Sequence, residues 1–169
     1  DYVDFSFYYP KDWQKDPKAG VAGANNFVKV ERNLGADYPQ ERFVVSFYES
    51  NGGTVETDRI NFAKQVENFS SSFSKSLSEY QKLSEGPTKV NSIDGYEFRF
   101  TAVGRGTPKG DITYWGRVIF LPPGVEGEKY GVTLLMLTSS LAPELKSADD
   151  VGVKGELPVI LNSFRFGKE

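Results

Sequence analysis

The chain has 169 residues, with 20 Lys and Arg against 23 Asp and Glu, for a net charge of -3. That length suits one domain burying about 70% of its unfolded surface, and mild acidity with interspersed charges excludes the basic face of a nucleic-acid binder. Cys and His are both absent, which removes disulfides, thiolate metal sites, Ser-His-Asp triads and zincin motifs, and leaves carboxylates, lysines and tyrosines for any acid–base chemistry.

Asp1-Tyr2-Val3-Asp4 lacks the basic start and apolar centre of a leader peptide, and the missing initial Met implies a preceding segment. No apolar run approaches the ~20 residues of a membrane span. Phe5, Ser6, Phe7, Tyr8 and Tyr9 alternate as a strand that Pro10 ends, because proline cannot donate to a ladder. Lys11-Asp12-Trp13 then turns Trp13 back to seal a sheet edge. Residues 20–26 are small and polar, hence a loop. Strands are expected over 27–30 and 43–48, joined by a 33–40 connection containing Gly35 and Pro39.

Asn51-Gly52-Gly53 breaks the chain before a helix capped by Thr57 and running from Asp58 to Leu77. Phe62, Val66, Phe69, Phe73 and Leu77 recur at helical spacing. With so many serines among them, packing of that stripe must stabilise the helix. Phe69 and Phe73 are therefore expected to be buried. Residues 80–90 read as an irregular or strand-like connection. Ile93-Asp94-Gly95 turns into a strand from Tyr96 to Phe100, residues 104–110 form a loop, and the strongest strands cover 112–121 and 130–137. An exposed connection or short helix is expected over 143–155. Pro158 opens a last helix through Leu161, and Phe164 and Phe166 tie down the end.

Phe5-Ser-Phe-Tyr-Tyr-Pro-Lys-Asp-Trp13 resembles the strand and Tyr-Pro-x-x-Trp turn that open PsbP-like proteins. Ser92-Ile-Asp-Gly-Tyr96 resembles the turn into their middle strands, and Ile160-Leu-Asn-Ser-Phe164 resembles their closing helix. The resemblance extends over nearly the whole chain and implies an α+β fold, an α/β/α sandwich around a mostly antiparallel sheet, in one domain over 1–169. It further implies an extracytoplasmic protein peripheral to a membrane, in the thylakoid lumen or the periplasm: a photosystem II subunit, an assembly factor or a lipoprotein. All three motifs are packing and turn signatures, which specify fold rather than chemistry. Metal sites proposed in PsbP relatives involve histidine, so none is carried over to this chain.

Gly104-Arg-Gly-Thr-Pro-Lys-Gly110 lacks the ending and the strand–helix context of a phosphate loop and reads as a turn. Glu144, Asp149 and Asp150 offer oxygen ligands suited to Ca²⁺ but without the spacing of a calcium loop; an acidic solvated turn is the alternative. Glu97 and Arg99 alternate with aromatics and are expected to point together to solvent. Trp115 and Arg117 share one face of a strand. If no helix covers that face they would form a partner surface; the alternative is that the Arg stem simply covers the indole at the sheet surface. The leading expectation is a non-enzymatic binding or assembly module, without cofactor, acting on a protein partner in a membrane complex. An enzyme using carboxylate, Tyr or Lys groups, and a lipoprotein-type domain holding a small apolar ligand between helix and sheet, are the alternatives.

Overall fold

A computed structural model describes residues 3–24, 26–33 and 38–167. Parts of the 20–26 and 33–40 connections, and the first two residues of the supposed non-leader start, lie outside the described residues. The elements are β1 Phe5–Ser6, β2 Gln14–Lys15, β3 Val28–Arg32, β4 Glu41–Glu49, α1 Val55–Ser76, β5 Gln81–Val90, β6 Ile93–Thr107, β7 Gly110–Leu121, β8 Tyr130–Ser139, α2 Leu157–Ser163 and β9 Arg165–Phe166.

Seven strands form one sheet in the order β2-β3-β4-β8-β7-β6-β5, and β1 pairs with β9 in a separate ribbon. Every pairing among the described residues is antiparallel. The strands β5 to β8 are neighbours in sequence and in space, joined by short turns that suit antiparallel pairing. The helix α1 carries the chain from β4 across the sheet to its far edge at β5.

Alternation along the strands sends two sets of apolar side chains to opposite faces. Phe62 and Val66 of α1 are buried against Phe98, Phe100, Val118 and Phe120 on one face. On the other, Leu157, Ile160 and Leu161 of α2 pack with Trp13, Phe43, Val45, Ile119, Leu134 and Met136. Two helices bury opposite faces of one antiparallel sheet, which is the expected α+β sandwich.

Several local expectations are corrected. The cap of α1 is Thr54, not Thr57: its Oγ1 accepts the Thr57 N–H while the Thr57 side chain accepts the Thr54 N–H, a reciprocal capping box. Phe69 and Phe73 contact the sheet but stay half-buried, and Phe62 and Val66 carry the burial. Residues 81–90 form a full edge strand, and β6 runs on to Thr107 through most of the expected 104–110 loop. Only Phe5 and Ser6 of the expected first strand pair, because β9 offers just two partners. The 143–155 segment is not an exposed connection. Leu145, Ala148 and Val151 are buried, and a single 3-10 turn at Ala148–Asp150 presses it onto the sheet.

Candidate functional site

Cross-strand pairing sets Arg99 of β6 beside Arg117 of β7, with Glu97 one alternation away on the same face. Arg117 grips the Glu97 carboxylate with two donors, Nε at 2.7 Å and Nη2 at 3.2 Å, and Nη2 also reaches Thr88 Oγ1 at 3.2 Å. Arg99 Nε lies 3.3 Å from the same carboxylate, and its Nη1 donates to the carbonyl of Ala148. Burial alone would raise the Glu97 pKa; the hydrogen bonds and charge of Arg117, with Thr88 and Arg99, outweigh it and hold the carboxyl below its usual range. Burial, followed by the charge of Arg117, lowers Arg99.

This cluster overturns two expectations. Arg117 is only 7% exposed, because the 142–151 segment and Thr88 of β5 close over it, and Trp115 is half-buried at the edge of the α2-side core. The pair does not form an exposed surface. Glu97 and Arg99 likewise turn inward, with each side chain 15% exposed.

A second cluster anchors α2. Glu41 is fully buried, and its carboxylate takes Arg32 Nη2 at 2.7 Å and the backbone N–H groups of Glu156 at 2.9 Å and Leu157 at 3.1 Å. Burial raises its pKa against those lowering contacts. Arg32 also pairs with Glu144 at 2.6 Å, and Glu156 accepts the Trp13 indole N–H at 2.8 Å. Trp13 is buried at the sheet edge as its turn implied. Asp150 accepts the Lys146 N–H at 2.9 Å and pairs with Lys154. Glu144 and Asp150 are thus committed to different donors and do not converge with Asp149 on one point. Among the described residues no group of three or more such side chains is placed to hold a metal ion.

A third carboxylate, Asp58, lies buried beneath the start of α1. It accepts from Tyr48 Oη at 2.7 Å, Ser50 Oγ at 2.9 Å and the Asn51 N–H at 2.6 Å. Burial, then the hydrogen bond and charge of Asp58, push the Tyr48 hydroxyl far up. A neutral tyrosine and an accepting carboxylate tie β4 to α1; they are not poised to exchange protons with a substrate.

Among the described residues an apolar opening lies between helix and sheet. Phe73, Ser76 and Leu77 of the α1 end, Phe100 of β6 and Leu135 and Leu137 of β8 enclose a cleft of about 160 Å³ with Arg42 on its rim. It exists because the aromatic stripe of α1 settles over β6 and β7, while the α1-facing side of β4 and β8 continues past the helix. Leu135 and Leu137 consequently stay half-buried. Arg42 Nε donates to Glu31 at 3.0 Å. The Tyr114 hydroxyl lies near enough for Tyr38 and Arg42 to act on its ionisation, although burial is the larger influence raising its pKa. A larger crevice of about 360 Å³ at the start of α1 is lined by Glu56, Asp94 and Pro122 among others; its mixed lining offers less to an apolar group. The cleft lies between helix and sheet, where the apolar-ligand alternative would place its site, but none of its residues was singled out as a site in the sequence. The available signal was Arg42, set two residues before Val44 at the head of an apolar strand.

No protein-family model matches the chain, and no curated protein is similar to it in sequence. Among solved structures it is similar to LpqN of Mycobacterium tuberculosis, described as involved in cell envelope biogenesis. The likeness covers 97% of this chain and 83% of that one, with a TM-score of 0.56 at 12% identity. That degree of likeness shows a shared fold. No helix among the described residues is long and apolar enough to cross a membrane.

Proposed function

We propose that the chain is a non-catalytic binding module of a cell envelope, working outside the cytoplasm and peripheral to a membrane, with the cleft under the C-terminal half of α1 as its binding site. The observation that carries this reading is the contrast between the cleft and the buried charges. Glu41, Glu97 and Asp58 each close on several donors within the fold, as structural groups do, whereas the cleft presents apolar walls with a single charged rim, the usual make-up of a ligand site. The likeness to LpqN supports the envelope setting, and the PsbP-like motifs point to the same side of a membrane. Those motifs also suggest a protein partner in a membrane complex. The likeness to LpqN favours an envelope assembly over photosystem II as that complex.

The test is methyl NMR of Leu77, Leu135 and Leu137 during titration with toluene, a probe that fits an apolar cavity of this size. Shifts confined to those methyls, and abolished by Leu137→Trp, are expected. An unresponsive cleft, or turnover of a substrate that depends on one of the buried carboxylates, would refute the reading.

A further inference from the structure

The cleft's shape and rim specify a ligand class, on the premise that the cleft is the binding site. We propose that it binds a compact monocarboxylate, an apolar chain or ring of about six carbons with its carboxylate at Arg42. The volume sets the size: about 160 Å³ is close to the ~150 Å³ of a Leu- and Phe-lined cavity that admits one benzene. Phe73, Leu77, Phe100, Leu135 and Leu137 leave the interior without a polar partner for a second charged or amide group. Ser76 also faces it, but its hydroxyl already donates to the Ser72 carbonyl at 3.2 Å.

The rim sets the charge. Glu31 takes only the Nε of Arg42, so the two terminal nitrogens of the guanidinium donate to no group among the described residues. That edge of the fork is the geometry which meets a carboxylate with two parallel hydrogen bonds. The Tyr114 hydroxyl, whose pKa burial raises, stands near enough to feel Arg42 and brings no competing charge. Among the described residues Glu31 is the acidic group paired with Arg42, and it limits the affinity rather than preventing binding.

The experiment follows the same three leucine methyls during titration with butanoate, hexanoate, octanoate and hexan-1-ol. Affinity should rise about fourfold per added CH₂ from butanoate to hexanoate, then stop rising at octanoate as the cleft fills. Hexanoate should bind about tenfold tighter than hexan-1-ol. Arg42→Gln should erase that preference, and Glu31→Gln, which frees the guanidinium, should enlarge it. Equal binding of hexanoate and hexan-1-ol, or a preference that survives Arg42→Gln, overturns the carboxylate assignment while leaving the cleft a binding site. Silence of all three methyls toward all four compounds overturns both. Should Arg42→Gln fail to fold, Glu31→Gln decides alone: hexanoate held no more tightly than by the wild type refutes the proposal.

Discussion

The carboxylate of Glu41 accepts the backbone N–H of Leu157 at 3.1 Å, joining the first residue of β4 to the first residue of α2 across 116 positions of chain. The start of a short helix has N–H groups with no intrahelical acceptor, and here a side chain from the sheet supplies one. Gly155 permits the approach: its φ is +75°, and a Cβ there would fall 2.6 Å from Glu41 Oε2.

Glu41→Ala should therefore cost about 3 kcal/mol by urea denaturation, since it orphans one buried and one part-buried backbone donor. Arg32 keeps Glu144 and Glu156 as partners, so the loss is assigned to α2 rather than to a stranded arginine. A cost below about 1 kcal/mol would mean that α2 is held by its apolar side alone.

Glu97 gives the pH dependence. Its folded pKa lies below the ordinary carboxylate value, so the folded state binds its proton less readily than the unfolded chain. The stability it adds is fully present above the ordinary value of about 4.3 and is lost as pH falls through the lower folded value. At pH 7, Glu97→Gln should be less stable by about 3 kcal/mol, leaving Arg99 and Arg117 facing each other without their anion. The gap between wild type and variant should narrow as pH falls below the ordinary carboxylate value of about 4.3; a gap in urea midpoints that stays constant throughout that fall would contradict the assignment.

The sandwich and its main strands were legible because residues 112–121 and 130–137 are rich in β-branched, aromatic and other apolar residues, and the stripe from Phe62 to Leu77 matches the helical period. Arg117 was misjudged for a physical reason: alternation assigns a side chain to a face but not what covers that face. The cover is the 142–151 segment, where Leu145, Ala148 and Val151 are buried at every third position, but a few small apolar residues set among Pro, Lys, Ser and acidic groups read as an exposed connection or a short helix rather than as a lid on the sheet. The clusters around Glu41 and Asp58 escaped notice for a related reason. Glu41 takes backbone N–H groups more than 100 positions away, and Asp58 takes two hydroxyls and an N–H from the end of β4 and the turn after it, and neither set leaves a motif. The cleft depends on where α1 stops relative to β8, a matter of packing rather than of pattern.

The helix stripe should divide unevenly in energy. Phe62 is 2% exposed and stacks on Tyr96 with ring centroids 5.0 Å apart, whereas Phe69 and Phe73 are half-buried. Phe62→Ala should cost about 4 kcal/mol, and Phe73→Ala at least about 1 kcal/mol less. Chemical denaturation ranking Phe73 above Phe62 would show that the C-terminal half of α1, not its first turns, bears the packing.

Gly116 is held by its neighbour across the ladder. It pairs with Phe100, the tip of whose ring lies over it, so that a Cβ would sit 2.1 Å from Phe100 Cζ. The ring cannot readily retreat, being packed against Phe73 at 4.9 Å and Tyr80 at 5.3 Å. Gly116→Ala should thus cost about 1–3 kcal/mol through overpacking. Phe100→Leu removes the clash, so the double variant should be less damaged than the sum of the singles by about 1 kcal/mol or more. Because Phe100 also lines the cleft, the ring displaced by Gly116→Ala moves toward α1 and should weaken toluene binding at the Leu77 methyls. Strict additivity in the double-mutant cycle, or unchanged toluene binding in a destabilised Gly116→Ala, would separate Phe100 from the cleft and place the strain elsewhere in the sheet.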